Sequence, residues 1–225
     1  MILALFDLDN TLLAGDSDYE WGRFLIDKGA VDRDAYEAAN RDFYEQYKAG
    51  TLDIYEFARF AFRPLVENPL ERLEDWRAEF FANRIRPLIL PGARELLSHH
   101  RDQGHELLII TATNRFVTEP VAAELGVTHL LATEPRFEQG RFTGEIDGVP
   151  CFREGKVTRL QAWMAEHGAD LRDSWFYSDS HNDLPLLQRV EHPVVVDGDV
   201  PLTDHALAQG WPMISLRFRD DEALS

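Results

Sequence analysis

Cysteine occurs once in the 225 residues, at Cys151. An intrachain disulfide is therefore excluded, and so sparing a use of thiols fits a reducing compartment. Pro150 and Phe152 flank this cysteine, which reads as a packing residue rather than a nucleophile. Basic residues are also scarce: 23 Lys and Arg stand against 40 Asp and Glu, a formal charge of −17. That balance argues against nucleic acid or an anionic membrane as partner, because phosphate-rich surfaces select basic proteins. Most of the negative charge reads as solvated surface. Long hydrophobic runs are missing as well. LLII and VVV have strand length, far short of a membrane span. The opening MILALF has no basic leader and is stopped by Asp7, so no signal peptide is expected and a cytoplasmic protein is.

What the chain does contain is a series of short apolar runs: ILALF (2–6), ELLIIT (106–111), HLLAT (129–133), SWFYS (174–178) and HPVVVD (192–197). Strands apolar on both faces belong in a parallel sheet covered by helices. Helical stretches ending on Gly104, Gly126 and Gly168 separate them. The alternation predicts an α/β fold with a doubly wound parallel sheet. Residues 16–86 break the pattern with aromatic-rich amphipathic segments and no convincing strand, which predicts a helical insertion of about 70 residues. The expected division is a core of residues 1–15 and 87–225 with a helical cap at 16–86. FEQGRFTGEIDG (137–148) alternates around Gly140 and reads as a β-hairpin, while RFRDDEALS reads as a frayed tail.

In an open parallel sheet, ligands bind at the carboxyl ends of the strands. Asp7, Asp9 and Thr11 follow the first apolar run; Thr111, Thr113 and Asn114 follow the second; Asp179, Asn182 and Asp183 follow SWFYS. Each group alone could be turn or capping chemistry. Together they gather acidic and hydroxyl groups along one edge of the sheet. Two carboxylates as close as Asp7 and Asp9 are costly to desolvate, and a divalent cation or a reacting phosphate would offset that cost. Lys156 opens a helix, where its charge opposes the helix dipole; an anionic partner would explain it, as would a bridge to a local glutamate.

FDLDNT, LIITAT, Lys156 in EGKV and YSDSHNDLPLL, in this order, closely resemble the four motifs of the haloacid dehalogenase superfamily of phosphatases. The helical insertion resembles that superfamily's first-type cap, and the Asn-Asp of the fourth motif resembles the branch containing phosphoserine phosphatase. One departure is visible: Ser178 and Ser180 stand where that enzyme has glycines. The resemblance implies Mg²⁺-dependent hydrolysis of a small-molecule phosphate monoester. In it Asp7 attacks phosphorus and forms an aspartyl-phosphate, and Asp9 serves as general acid and then base. It implies a Mg²⁺ site of the Asp7 carboxylate, the Asp9 backbone carbonyl and Asp179, with Asp183 orienting a metal-bound water or Lys156. Thr111 is expected to bond the phosphoryl group, Lys156 to balance charge, Asn182 to assist and Thr11 to brace the loop.

Asp16 lies nine residues after Asp7, where phosphoserine phosphatases carry an acid that binds the substrate amine. DSDYEW also reads as a helix start, with Ser17 and Glu20 spaced as a capping box. Trp21, Phe24, Phe43, Tyr44 and Tyr47 could line a pocket or simply form core. An amine-bearing phosphate is expected as substrate, with histidinol phosphate ahead of phosphoserine. The carboxylate of phosphoserine would need a cation, for which Arg23, Arg41, Arg59 and Arg63 are the cap candidates. Among rivals, a receiver domain shares the acidic pocket but lacks a hydrolytic acid such as Asp9, and a phosphomutase of the same superfamily would favour sugar phosphates.

Overall fold

Leu3, Ala4, Leu5 and Phe6 are all fully buried in β1 (Leu3–Phe6), because helices cover both faces of the sheet around it. On one side β1 pairs in parallel with β2 (Glu106–Asn114), and β2 with β3 (His129–Thr133). On the other it pairs in parallel with β6 (Trp175–Ser178), then β7 (His192–Val196) and the short β8 (Met213–Ile214). The order is β3-β2-β1-β6-β7-β8. This is the doubly wound α/β sheet that the apolar runs predict. A computed structural model describes residues 1–217; from residue 218 onward the expected frayed tail lies outside the described residues.

Alternation along the strands splits the core in two. Phe6, Ile109 and Val194 join the apolar cluster on one face, and Leu5, Leu108 and Phe176 the cluster on the other. The connecting helices α5 (Pro91–Asp102), α6 (Arg115–Glu124) and α7 (Glu154–His167) stop at or just before Gly104, Gly126 and Gly168. The chain closes with α8 (Leu184–Leu187) and α9 (Val200–Gln209). The hairpin forms from β4 (Pro135–Glu138) and β5 (Arg141–Ile146). Its two-residue turn, Gln139-Gly140, has positive φ at both positions, the geometry that matches strand twist.

Between β1 and α5 lie α1 (Ser17–Asp27), α2 (Arg33–Lys48), α3 (Ile54–Glu67) and α4 (Leu70–Phe80). No strand interrupts them among the described residues. Asp16, Asp32 and Asp53 cap the first three by accepting amide hydrogen bonds. At Gly22 a Cβ would lie 2.6 Å from the Tyr36 ring, so the close approach of α1 and α2 requires glycine. The segment leaves through a π turn (Phe81–Ile85) and a 3-10 turn (Arg86–Leu88). Its neck is tied by a bridge between Leu13 and Ile89 and by the Ala14 amide on the Leu88 carbonyl at 2.7 Å. Helix α3 packs on β5, so the hairpin supports the inserted helices from below.

Candidate active site

β1 and β6 are neighbours in the sheet but distant in sequence, and the chain reverses its winding between them. A crevice opens at such a point. Asp7 follows β1 and Asp179 follows β6. The Thr11 hydroxyl stands 3.4 Å from Asp7 Oδ2 and 3.1 Å from Asp179 Oδ1, and it accepts the Asp179 amide at 3.1 Å. Thr11 thus braces both loops, as its position in the sequence implies. Leu8 between the aspartates is fully buried, and its carbonyl accepts the amides of Thr11, Leu12 and Leu13.

Lys156 lies on the first turn of α7, and its side chain is buried. Its partners are not a local glutamate: Nζ lies 2.6 Å from Asp7 Oδ1 and 2.7 Å from Asp183 Oδ2. Flanking carboxylates hold the lysine pKa above its ordinary value against the opposing effect of burial. Ser178 donates to the same Asp183 oxygen at 2.7 Å, so one of the two departures from glycine adds a bond that fixes Asp183. Asp183 is therefore committed to Lys156 and Ser178, in keeping with an orienting role.

Asp9 is held differently. Its Oδ1 accepts the Ser17 amide at 2.6 Å, and its Oδ2 accepts the Thr113 hydroxyl at 2.8 Å. Thr111, the expected phosphoryl donor, is buried, reaches Asp9 Oδ2 only at 3.5 Å, and accepts the Thr113 amide. Thr113 is the partner that sequence reasoning placed at the strand end without a role. Strand alternation does not foretell this, because the register of β2 on β3 shifts between Ile110 and Asn114 and Thr111, Ala112 and Thr113 all line the same cavity.

Asn182 lies in the 3-10 turn His181–Asp183, where it donates to the Tyr47 carbonyl at 3.3 Å and accepts from Arg153 Nε at 3.0 Å. Arg153 also bonds the Gly50 carbonyl, and Tyr47 donates its hydroxyl to Ser180 Oγ at 3.0 Å. These contacts join the end of α2 to the loop carrying Asp179 and Asp183. Sequence reasoning missed Arg153, whose φ of 52° gives it an unusual backbone just ahead of α7.

Electrostatically the crevice is short of positive charge. Burial pushes the Asp7 carboxyl up to about 7 against the pull of Lys156, with Asp183 and Asp9 adding to the rise. Burial and then the Asp16 charge push Asp9 up to about 6. Asp179 is raised by burial, then by Asp7 and Asp183. One ammonium does not balance four carboxylates. The donors at hand are oxygens alone, a hard set that suits Mg²⁺. Because the Asp9 carboxylate is engaged by Ser17 and Thr113, its main-chain carbonyl is the part left for a metal. A second grouping of possible ligands, Asp173, Glu191 and His192, lies at the starts of β6 and β7 and so sits at the opposite edge of the sheet.

A cavity of about 810 Å³, counting its open mouth, runs from Asp7, Asp9 and Lys156 outward under the inserted helices. Phe43, Tyr44 and Tyr47 of α2 line it, with Phe57, Phe152 and Tyr19. Trp21 and Phe24 instead stack on each other in the core at 5.5 Å. Asp16 lines the cavity and also caps α1, its Oδ1 accepting the amides of Asp18 and Tyr19 at 2.9 and 2.8 Å. The cap is Asp16 rather than Ser17, so no capping box from Ser17 forms. Asp18 lines the cavity too; burial and the Asp16 and Asp9 charges hold its carboxyl well above the ordinary range. Among the described lining residues, Lys156 is the only lysine or arginine. Cys151 is a packing residue: it is buried, its thiol reaches the Leu131 carbonyl at 3.4 Å, and burial pushes it up to about 12.

Comparison with known proteins agrees with this geometry. The family described as haloacid dehalogenase-like hydrolase matches residues 4–188. A histidinol-phosphatase of Neisseria meningitidis serogroup C (strain 8013) is 43% identical over 219 residues, spanning 96% of this chain and 99% of the relative. A solved structure of a protein of unknown function from Bordetella pertussis Tohama I superposes with a TM-score of 0.89 at 43% identity, covering 95% of this chain and 98% of that one. A substrate-bound phosphoserine phosphatase superposes with a TM-score of 0.71 at 18% identity over 99% of this chain and 96% of that one, a likeness of fold. The chain belongs to the haloacid dehalogenase-like hydrolases, as a phosphoric monoester hydrolase.

Proposed function

We propose that the protein hydrolyses histidinol phosphate, with residues 16–86 acting as the cap that selects it. The observation that carries this reading is the cavity wall: carboxylates and aromatic rings, with no arginine among its described residues. Phosphoserine needs a cation for its carboxylate, and the cap candidates do not supply one. Arg23 is exposed and pairs with Glu20, Arg63 is exposed and pairs with Glu67, and Arg41 and Arg59 are exposed outside the cavity. Lys156 is already engaged by Asp7 and Asp183. A substrate with an ammonium and an apolar ring suits such a wall, and the Neisseria relative bears the matching name.

In the proposed reaction the Asp7 carboxylate attacks phosphorus in line and the ester oxygen leaves. Asp9, kept protonated in part by burial, gives its proton to that oxygen and then takes one from the water that opens the aspartyl-phosphate. Thr113 and the Ser17 amide fix the Asp9 carboxyl for both transfers. Lys156 offsets charge on Asp7 and the phosphoryl oxygens, and Asp183 with Ser178 holds the lysine in place. Mg²⁺, held by Asp7, Asp179 and the Asp9 carbonyl, would supply further charge neutralisation for the phosphoryl group. Asp16 has one carboxylate oxygen left after capping α1, and it takes the substrate ammonium.

The test is kcat/KM for histidinol phosphate, phosphoserine and a sugar phosphate with Mg²⁺ present. Histidinol phosphate should lead by at least about tenfold, the worth of one well-made charged hydrogen bond. Equal or faster hydrolysis of phosphoserine or the sugar phosphate refutes the assignment.

A further inference from the structure

The cavity holds a second carboxylate beyond the reaction centre that the substrate ammonium does not use. Asp18, on the first turn of α1, lines the same wall as Asp16, and its side chain is partly buried. Asn114 Nδ2 donates to its Oδ1 at 3.4 Å, and among the described residues its Oδ2 has no hydrogen-bond partner. No lysine or arginine among the described residues pairs with it either. An acid near a helix N-terminus is ordinary, since the dipole favours it. The dipole does not explain why this one turns into a cavity, where it loses water and meets the charges of Asp16 and Asp9.

Resting on the histidinol phosphate reading above, we propose that Asp18 accepts the imidazole N–H of the substrate, while Phe43 and Tyr44 pack against the ring. The order of groups supports this. Asp9 accepts the Ser17 amide at 2.6 Å and Asp16 the Asp18 amide at 2.9 Å, so the start of α1 sets Asp16 and Asp18 beside Asp9 on the cavity wall. Asp18, tied to Asn114 at 3.4 Å, continues that row beyond the Asp7–Lys156 pair. The polar groups of the substrate run the same way: phosphate, then ammonium on the next carbon but one, then the ring. Two donors on the substrate meet two unfilled carboxylate oxygens. Asn114, which caps α6 by accepting the Val117 amide at 3.2 Å, anchors Asp18 to the rigid core. Asn114 thereby fixes the distance between the ring subsite and the reaction centre.

The experiment compares histidinol phosphate with phosphoethanolamine, which keeps the amine but has no ring, and phenylalaninol phosphate, whose ring stacks but cannot donate. In the wild type, kcat/KM for histidinol phosphate should exceed that for phenylalaninol phosphate by about tenfold or more. Asp18→Asn should lower the histidinol phosphate to phosphoethanolamine ratio by about tenfold, and Asp16→Asn should lower both substrates and move that ratio by less than about threefold. A wild type that prefers histidinol phosphate to phosphoserine but treats the phenyl analogue equally overturns the ring subsite alone. So does an unchanged ratio in a folded Asp18→Asn. A wild type that prefers phosphoserine overturns both this inference and the reading it rests on. The comparison of analogues in the wild type decides the matter even where Asp18→Asn does not fold.

Discussion

Lys156, on the first turn of a helix that begins 147 residues after Asp7, places its ammonium 2.6 Å from the Asp7 carboxylate. The pair is buried, so removing the lysine leaves Asp7 and Asp183 facing each other without a counter-charge. Lys156→Met should cost about 3–5 kcal/mol of stability, the usual penalty for breaking a buried ion pair from one side. Activity should fall by about 10²–10³, as for loss of one electrostatic stabiliser of a transition state. Thermal unfolding with and without phosphate, alongside turnover of an aryl phosphate, measures both effects. Retained turnover removes Lys156 from the machinery.

The shortage of positive charge around Asp7 and Asp179 leads to an expectation about metal. Chelation should abolish hydrolysis of an aryl phosphate and added Mg²⁺ should restore it. Asp179→Asn should raise the Mg²⁺ concentration needed for half activity. Full turnover in excess chelator rules the metal site out.

Much of this arrangement is legible in the sequence because it is local. Apolar runs followed by acids or hydroxyls mark strand ends, and the sheet then brings Asp7, Thr111 and Asp179 to one edge whatever fills the gaps. What sequence does not carry is which partner each side chain takes. Thr111 and Thr113 both follow the apolar run, and only the fold shows that Thr113 makes the shorter bond to Asp9. Aromatics at helical spacing look alike in the chain, yet Trp21 packs inward while Tyr44 borders the cavity. Arg153 bears no motif, and its role follows from contacts to Gly50 and Asn182, residues about 100 and 30 positions away. The short β8 and α8 were invisible for a plainer reason: too few residues to show a period.

Arg153 supplies a third expectation. It ties the end of α2 to the loop bearing Asn182 and Asp183, so Arg153→Ala should loosen the inserted helices over the cavity without touching the reacting groups. KM for histidinol phosphate should rise more than kcat falls, with a stability loss of about 0.5–1.5 kcal/mol per hydrogen bond removed. Steady-state kinetics and thermal melts separate the two. A loss confined to kcat contradicts the latch.

The fourth concerns pH and a buried histidine that does not line the cavity. His100 is buried, with Nε2 2.8 Å from the Tyr177 hydroxyl and Nδ1 2.8 Å from His105 Nδ1. Burial, then the charges of His105 and His99, push its pKa down to about 4 from 6.5. A depressed histidine pKa means that the unfolded chain binds the proton better. The stability it contributes is complete above pH 6.5 and is lost as pH falls from there towards 4. The loss is of order 3.5 kcal/mol, at about 1.4 kcal/mol per pKa unit over the shift from 6.5 to about 4. His100→Gln should flatten the stability profile in that window relative to the wild type in denaturant titrations. Parallel profiles for the two proteins contradict the assignment.

The central claim is that Asp7 carries the phosphoryl group. Acid quench during steady turnover of an aryl phosphate, followed by peptide mass spectrometry, tests it most directly. The account predicts an added phosphoryl group on Asp7 in the wild type, a larger fraction labelled in Asp9→Asn because the hydrolytic base is gone, and none in Asp7→Asn. Label on any other residue, or a labelled Asp7→Asn enzyme, would contradict the account.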